Sequence, residues 1–153
     1  DKKKKKKKSK SRNKSYGRKY IESDSQSESD ESEIKNGLME GKGTFTYLNG
    51  NIYEGMYKNN KKEGKGVLIL NNRDKYEGDF KNGKFDGKGI YTSANGEKYE
   101  GDFIANLKEG NGTMNYINGD KYEGSFKNNK REGKGKLTYS DKSVYEGECR
   151  LRF

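Results

Sequence analysis

Apolar and polar residues alternate in short blocks along most of this chain, and the blocks recur at a fixed interval. Each block begins with Tyr-Glu-Gly, and successive blocks start 23 residues apart. The tyrosines that open the blocks are Tyr53, Tyr76, Tyr99, Tyr122 and Tyr145. Alternation with period two predicts β-strands, and glycines at these positions would destabilise a helix by about 1 kcal/mol each. A fixed period of this length predicts a stacked array of repeats.

Each repeat is predicted to form two short strands. Counted from its tyrosine as position 1, a unit places apolar residues and glycine at positions 1, 3 and 5, and again at 12, 14, 16 and 18. Strands are therefore expected at positions 1–6 and 12–18. Turns are expected at positions 7–8 and 20–21, as in Asn82-Gly83 and Asn95-Gly96, because Asn and Gly accept positive φ.

An antiparallel hairpin of these strands should place the glycine at position 3 beside the glycine at position 14. The rings at positions 1 and 5 would then lie over bare backbone, where glycine leaves a strand weak. Two strands from each full unit and one from each partial unit give about 10 strands, or 11 if 31–35 pairs. Such a sheet would be roughly 50 Å long.

The unit closely resembles the MORN repeat (membrane occupation and recognition nexus), whose pattern is Tyr-x-Gly-x-aromatic, then Gly-x-Gly, an aromatic residue and Asn-Gly over 23 residues. The resemblance covers about 34–153. It implies an all-β fold, an elongated single-layer antiparallel sheet of tandem β-hairpins, preceded by a disordered tail at 1–33. The repeats are a degenerate unit 30–52, the full units 53–75, 76–98, 99–121 and 122–144, and the partial unit 145–153.

Composition agrees with an open array. Apolar residues make up only 26% of the 153 residues, too few for an ordinary packed core, whereas a repeat array needs only burial between neighbours.

Residues 1–20 carry a net charge of +11 and residues 21–33 a net charge of −6, while the remainder carries +5. Runs of like charge repel themselves, so both halves of the tail are expected to be disordered. A start at Asp1 rather than Met suggests a fragment of a longer protein.

The basic half of the tail has two interpretations. It is either a solvated low-complexity segment or an electrostatic anchor for acidic phospholipid, since each Lys near an acidic leaflet contributes about 1 kcal/mol. Few aromatic residues alternate with the basic ones, which argues against a nucleic-acid partner. No apolar stretch is long enough for a signal peptide or a membrane span. The lysines of the candidate anchor are Lys2, Lys3, Lys4, Lys5, Lys6, Lys7 and Lys8.

Catalysis is not expected. The chain has no His, and its single cysteine, Cys149, can form neither an internal disulfide nor a zinc cluster. We therefore predict no enzyme, no metal and no cofactor. Glutamates at position 2 and lysines at position 13 share the outward parity, so they are expected to pair across strands. The glutamates are Glu54, Glu77, Glu100, Glu123 and Glu146, and the lysines are Lys42, Lys65, Lys88 and Lys134.

The aromatic face is the candidate binding site, because a single-layer sheet is expected to leave its apolar face uncovered and such patches mark partner sites. An amphipathic helix could dock there. The residues expected to line this partner groove are Tyr53, Tyr57, Tyr76, Phe80, Tyr99, Phe103, Tyr122 and Phe126.

The resemblance implies a non-catalytic scaffold that binds a protein segment or associates with itself, in the cytoplasm near a membrane or the cytoskeleton. Dimers formed end to end in the family would use the C-terminal strand of the array. The alternatives are a phospholipid-binding module, or a regulatory segment of a larger enzyme such as a lipid kinase or methyltransferase.

Overall fold

The computed structural model of the chain describes the backbone of residues 24–26 and 33–35, and residues 38–149 in full. Every regular element among them is a β-strand. The strands are β1 (Asp24–Gln26), β2 (Glu33–Lys35), β3 (Leu38–Tyr47), β4 (Ile52–Lys58), β5 (Lys61–Ile69), β6 (Lys75–Lys81), β7 (Lys84–Thr92), β8 (Lys98–Ile104), β9 (Leu107–Asn115), β10 (Lys121–Lys127), β11 (Lys130–Thr138) and β12 (Val144–Glu148).

The strands form one open antiparallel sheet in chain order. From β3 to β12 each strand pairs with the next along the chain, which confirms the expected array of ten strands. The short strand β2 also pairs with β3, as the alternative count allowed. Strand β1 pairs with β3 as well, and the sequence did not predict it, because it falls inside the segment expected to be disordered. Most of that tail, including Lys2 to Lys8, lies outside the described residues.

A row of glycines crosses the sheet and sets its register. Gly55 lies opposite Gly66 in its own hairpin, as predicted, and Gly66 also lies opposite Gly78 in the next unit. The same two pairings recur in every later unit, so the row runs from β3 to β12. In each hairpin the register shifts after this glycine, for example between Gly78 and Phe80. From Gly78 to Phe80 the first strand advances two residues while the second advances four, from Gly89 to Phe85, so the extra residues of this bulge lie in the second strand.

The second strand of each unit begins earlier than predicted, at position 9 rather than 12. In the first turn both central residues have positive φ, as at Asn82 (51°) and Gly83 (81°). A two-residue turn of this kind places positions 6 and 9 directly opposite each other, so pairing starts at once, as between Lys81 and Lys84. The second strand is therefore three residues longer at its start than the alternation predicts.

The other turn lies where it was expected, but only its later residue has positive φ. Gly96 (97°) fills this position in one unit, and Arg73 (75°) and Lys142 (76°) fill it in two others. The Ser93 N–H bonds to the Glu97 carbonyl at 2.8 Å across the turn. One residue of positive φ is thus enough here, which is why side chains other than Asn-Gly are tolerated.

Polar side chains join each unit to the next at both ends of the hairpins. At position 11, Glu63 accepts the backbone N–H of Asn82 in the following unit at 2.9 Å. At position 22, Asp74 accepts the backbone N–H of Ala94 at 2.8 Å. Equivalent bonds recur along the array, with Glu, Asp or Asn as the acceptor. These bonds satisfy turn N–H groups that would otherwise lack a partner, so part of the polar sequence fixes the stacking of the units.

Candidate functional site

The eight rings predicted to line a partner groove are buried, with exposed fractions from 0% at Tyr53 to 6% at Phe126. Each tyrosine at position 1 donates its hydroxyl to a backbone carbonyl three residues later, as from Tyr76 to Asp79 at 2.6 Å. Burial raises the pKa of Tyr76 well above its usual range. These rings form the core of the array, so the expectation that they are open to a partner is corrected.

Rings of successive units bury one another where the units meet. The Tyr53 ring meets the Phe80 ring of the following unit edge to face, with centroids 5.1 Å apart, and Tyr76 meets Phe103 in the same way at 5.2 Å. Beneath Tyr76 lies the bare backbone of Gly89, where a Cβ would collide with the ring. A single sheet can therefore bury this face without a second layer, because ring edges fill the space between units.

Above the tyrosines lies a row of four half-buried side chains at position 10, which we call the cap row. It consists of Lys62, Phe85, Lys108 and Arg131. The Lys62 ammonium lies 5.4 Å from the Tyr53 ring centroid, and the Lys108 ammonium lies 5.3 Å from that of Tyr99. A partner approaching this face meets the cap row before it meets the buried rings.

The other two members of the cap row also cover tyrosines. The Phe85 ring stacks on Tyr76 with centroids 3.8 Å apart, and the Arg131 guanidinium lies 5.4 Å from the Tyr122 ring centroid. Sequence reasoning missed this row because its second strand began at position 12. A strand that begins at position 9 gives position 10 the parity of the buried rings, so the two-residue turn was the signal that could have found it.

A second row of side chains borders the cap row at position 18. It contains Tyr116, and also Tyr139, which keeps an exposed fraction of 40%. Between the two tyrosines is a cleft of about 270 Å³. Its walls are formed by Tyr116, Asn118, Asp120, Arg131, Leu137 and Tyr139. This cleft presents aromatic rings beside a guanidinium, which suits a ligand that combines apolar and acidic groups.

Electrostatics differ along this face. Burial lowers the pKa of Lys108 below its usual range, and the charge of Glu97 opposes that shift. In the preceding unit the Tyr91 hydroxyl donates to Asp74 at 2.6 Å and lowers the pKa of that carboxyl. Of the cap-row side chains, Lys62, Lys108 and Arg131 are cationic and Phe85 is uncharged.

The opposite face carries ion pairs, but in a different arrangement from the predicted one. Lys65 pairs with Asp79 and Lys88 pairs with Asp102, because the register places position 13 opposite position 4. The position-2 glutamates were expected to take these lysines, yet Glu77 lies opposite Val67 and pairs instead with Lys75 on its own strand. These contacts indicate a structural role for the outward charges.

The described part of the chain offers neither a metal centre nor a membrane-spanning helix. No group of three or more His, Cys, Asp or Glu side chains within it is arranged to hold a metal ion. None of its segments is a helix of the length and hydrophobicity that crosses a bilayer. Cys149, which fills the aromatic position of the last unit, is buried and unpaired.

Comparison with known proteins gives one strong result. The family model of the MORN repeat matches residues 31–52, 53–75, 76–98, 99–121 and 122–144. A comparison with curated proteins finds no match. Among solved structures, the chain is similar to the SAS-4 (dCPAP) TCP domain of Drosophila melanogaster in complex with a proline-rich motif of Ana2 (dSTIL). That similarity has 15% identity, covers 75% of each chain and has a TM-score of 0.30, which is too low to bear on fold or function.

Proposed function

Because the chain belongs to the MORN repeat family, we propose that it is a non-catalytic interaction module whose aromatic face binds a segment of another protein. The observation that carries this proposal is the character of that face above its buried rings. Arg131 and the partly exposed Tyr139 lie together at a cleft, and Arg and Tyr are residues that protein interfaces favour.

The finer parts of the proposal concern the partner and the place of action. An amphipathic helix is the occupant we favour, since a long face formed by regular repeats matches a regular partner. We place the module in the cytoplasm, at a membrane or a cytoskeletal structure, with Lys2 to Lys8 attracting it to acidic lipid. Self-association would use β12, which pairs only with β11 among the described strands.

Paired charge variants test the proposal in an affinity-capture experiment with the whole chain as bait. Tyr139→Glu places a charge on the aromatic face, whereas Asn115→Glu places one on the opposite face at an exposed position of β9. We expect the first variant to lose a captured protein that the second retains, with circular dichroism confirming that both fold. Equal retention by both variants, or equal loss, would show that the aromatic face is not the binding surface.

One observation favours phospholipid as a second candidate ligand. Within residues 38–149, three of the four two-residue turns are flanked by lysine pairs, for example Lys81 opposite Lys84 and Lys127 opposite Lys130. These turns lie along one edge of the sheet, where they could meet an acidic surface. Sedimentation with acidic and neutral vesicles, for the whole chain and for 34–153, separates this function from attraction by the N-terminal lysines. Salt-sensitive binding by 34–153 to acidic vesicles would support it.

A further inference from the structure

The cap row has a charge pattern that runs along the array. Its members Lys62, Phe85, Lys108 and Arg131 occupy the same position in four successive units. They lie on β5, β7, β9 and β11, so neighbours in the row are two strands apart, a spacing of about 9.6 Å. The row therefore presents a cation, an apolar ring and two further cations at regular intervals.

Two of these cations lack a carboxylate partner. Within the described residues neither Lys108 nor Arg131 forms an ion pair, although Lys65, Lys88 and Lys121 on the opposite face all do. The Arg131 Nε–H is buried and has no acceptor. The guanidinium hydrogen-bonds the Tyr116 side chain and lines the cleft, so it presents a positive charge there without an ion pair to a carboxylate of the described chain.

Nearby acids of the chain are already engaged. Asp120, which lines the same cleft as Arg131, accepts the Ser140 N–H at 2.9 Å and the Asn118 side-chain amide at 3.0 Å. Glu97, whose charge acts on Lys108, accepts the Ile117 N–H at 3.3 Å. These carboxylates are held by turns between units, and among the described residues neither forms an ion pair with Lys108 or Arg131.

The spacing of the row selects the form of an acidic partner. Seven residues of α-helix rise about 10.5 Å and return to within about 20° of the same face. An extended strand covers the same distance in about three residues, and an odd step turns the next side chain to the opposite side. A helix can therefore meet every member of the row with one face, whereas a strand cannot.

We propose that the partner bound on the aromatic face is an acidic amphipathic helix whose carboxylate, apolar, carboxylate and carboxylate side chains recur every seven residues against Lys62, Phe85, Lys108 and Arg131. This inference rests on the proposed function and specifies its partner. The carboxylate facing Arg131 pairs with its guanidinium at the cleft, and the apolar side chain packs on Phe85.

The probe is a labelled helical peptide of about 30 residues carrying Glu, Leu, Glu and Glu at seven-residue intervals. A second peptide has the reverse order, because the row does not fix which way the helix runs. Matched peptides carry Gln in place of each Glu. Fluorescence anisotropy with the whole chain should show that one Glu peptide binds at least about tenfold more tightly than its Gln counterpart, as expected for charge-assisted hydrogen bonds.

Variants of the chain assign this difference to the row. Arg131→Gln should weaken binding of the Glu peptide about tenfold and Lys108→Gln several-fold. Lys134→Gln, at an exposed position of the same strand as Arg131 but on the opposite face, should leave binding unchanged. Arg131→Glu should lose the Glu peptide and recover binding of a peptide with Lys at the matching position.

The proposal is wrong if the Gln peptides bind as tightly as the Glu peptides, or if Lys134→Gln weakens binding as much as Arg131→Gln. It is also wrong if phosphatidylserine vesicles bind in an Arg131-dependent manner while neither Glu peptide binds. Loss of a captured protein on Tyr139→Glu, together with indifference to the Glu peptides, would reject the acidic helix and keep the proposed function. If Tyr139→Glu loses no captured protein, the proposed function itself fails.

Discussion

Replacing a single glycine of the row that crosses the sheet tests how the array is held together. An alanine Cβ at Gly124 would stand 2.7 Å from the Tyr122 hydroxyl oxygen and 2.7 Å from the Cα of Gly135. Tyr122 is fully buried and its hydroxyl donates to the Ser125 carbonyl at 2.8 Å, so the ring cannot move aside without losing that bond.

The expected loss of stability combines two effects. Overpacking of a buried site costs about 1–3 kcal/mol, and a lost hydrogen bond about 1 kcal/mol, so Gly124→Ala should lower the free energy of unfolding by about 3 kcal/mol. For an array of this size that corresponds to a fall in Tm of roughly 12 °C. Urea and thermal unfolding followed by circular dichroism measure both quantities.

Gly133 provides the matched control. An alanine Cβ there meets nothing within 4 Å, but φ is +68°. Gly133→Ala should therefore lower the free energy of unfolding only by the cost of holding alanine at positive φ, which is about 1 kcal/mol. In the Gly124→Ala background, Tyr122→Phe removes one of the two close contacts and should be less destabilising than in the wild type. A Gly124→Ala protein as stable as Gly133→Ala would refute the packing of the tyrosine over glycine.

Three further predictions concern stability. Ala105 has a φ of 47° in a turn where three other units have Asn, which tolerates positive φ better. Ala105→Asn should therefore stabilise the array by about 0.5–1 kcal/mol in urea unfolding. A loss of stability would contradict the inference that Ala105 is strained. The hydrogen bond from the Tyr91 hydroxyl lowers the pKa of Asp74. The stability that this bond gives the folded protein is therefore present above the ordinary carboxyl pKa, and it is lost as pH falls through the lowered pKa. Tyr91→Phe should therefore destabilise the protein near neutral pH by about 0.5 kcal/mol, since Asp74 is partly exposed. The difference from wild type should become smaller in acid, where the protonated carboxyl makes a weaker hydrogen bond, and a difference independent of pH would contradict this. Burial raises the pKa of Tyr76 and Tyr99, so stability should decline above the ordinary tyrosine pKa of 10.0, with tyrosinate absorbance rising together with unfolding rather than before it.

Much of the fold follows from the repeat. The 23-residue period and the alternation within it predicted the strands, the pairing of Gly55 with Gly66 and the ten-strand array, because period-two patterns translate directly into the faces of a sheet. Strand β1 could not be predicted in this way. Its sequence, Asp-Ser-Gln, has neither alternation nor β-propensity, and only pairing with β3 makes it a strand.

The candidate site was only partly predictable. The alternation of residues along each strand correctly placed Tyr53 and Phe80 on one face. It could not show that the rings of adjacent units bury each other edge to face. From the sequence alone, Lys62 and Lys108 cannot be told apart from other surface lysines. Their position over tyrosine rings depends on the two-residue turn that precedes each of them. Side-chain packing between units is therefore what sequence reasoning lacked.

The central claim, that the aromatic face receives a protein segment, is tested most directly by contact. A photoreactive phenylalanine analogue placed at Tyr139 reports on the aromatic face, and the same group at Asn115 reports on the opposite face. We predict that illumination of the whole chain with the captured partner gives a cross-linked product from position 139 and none from position 115. A cross-link from 115 with none from 139 would contradict the account.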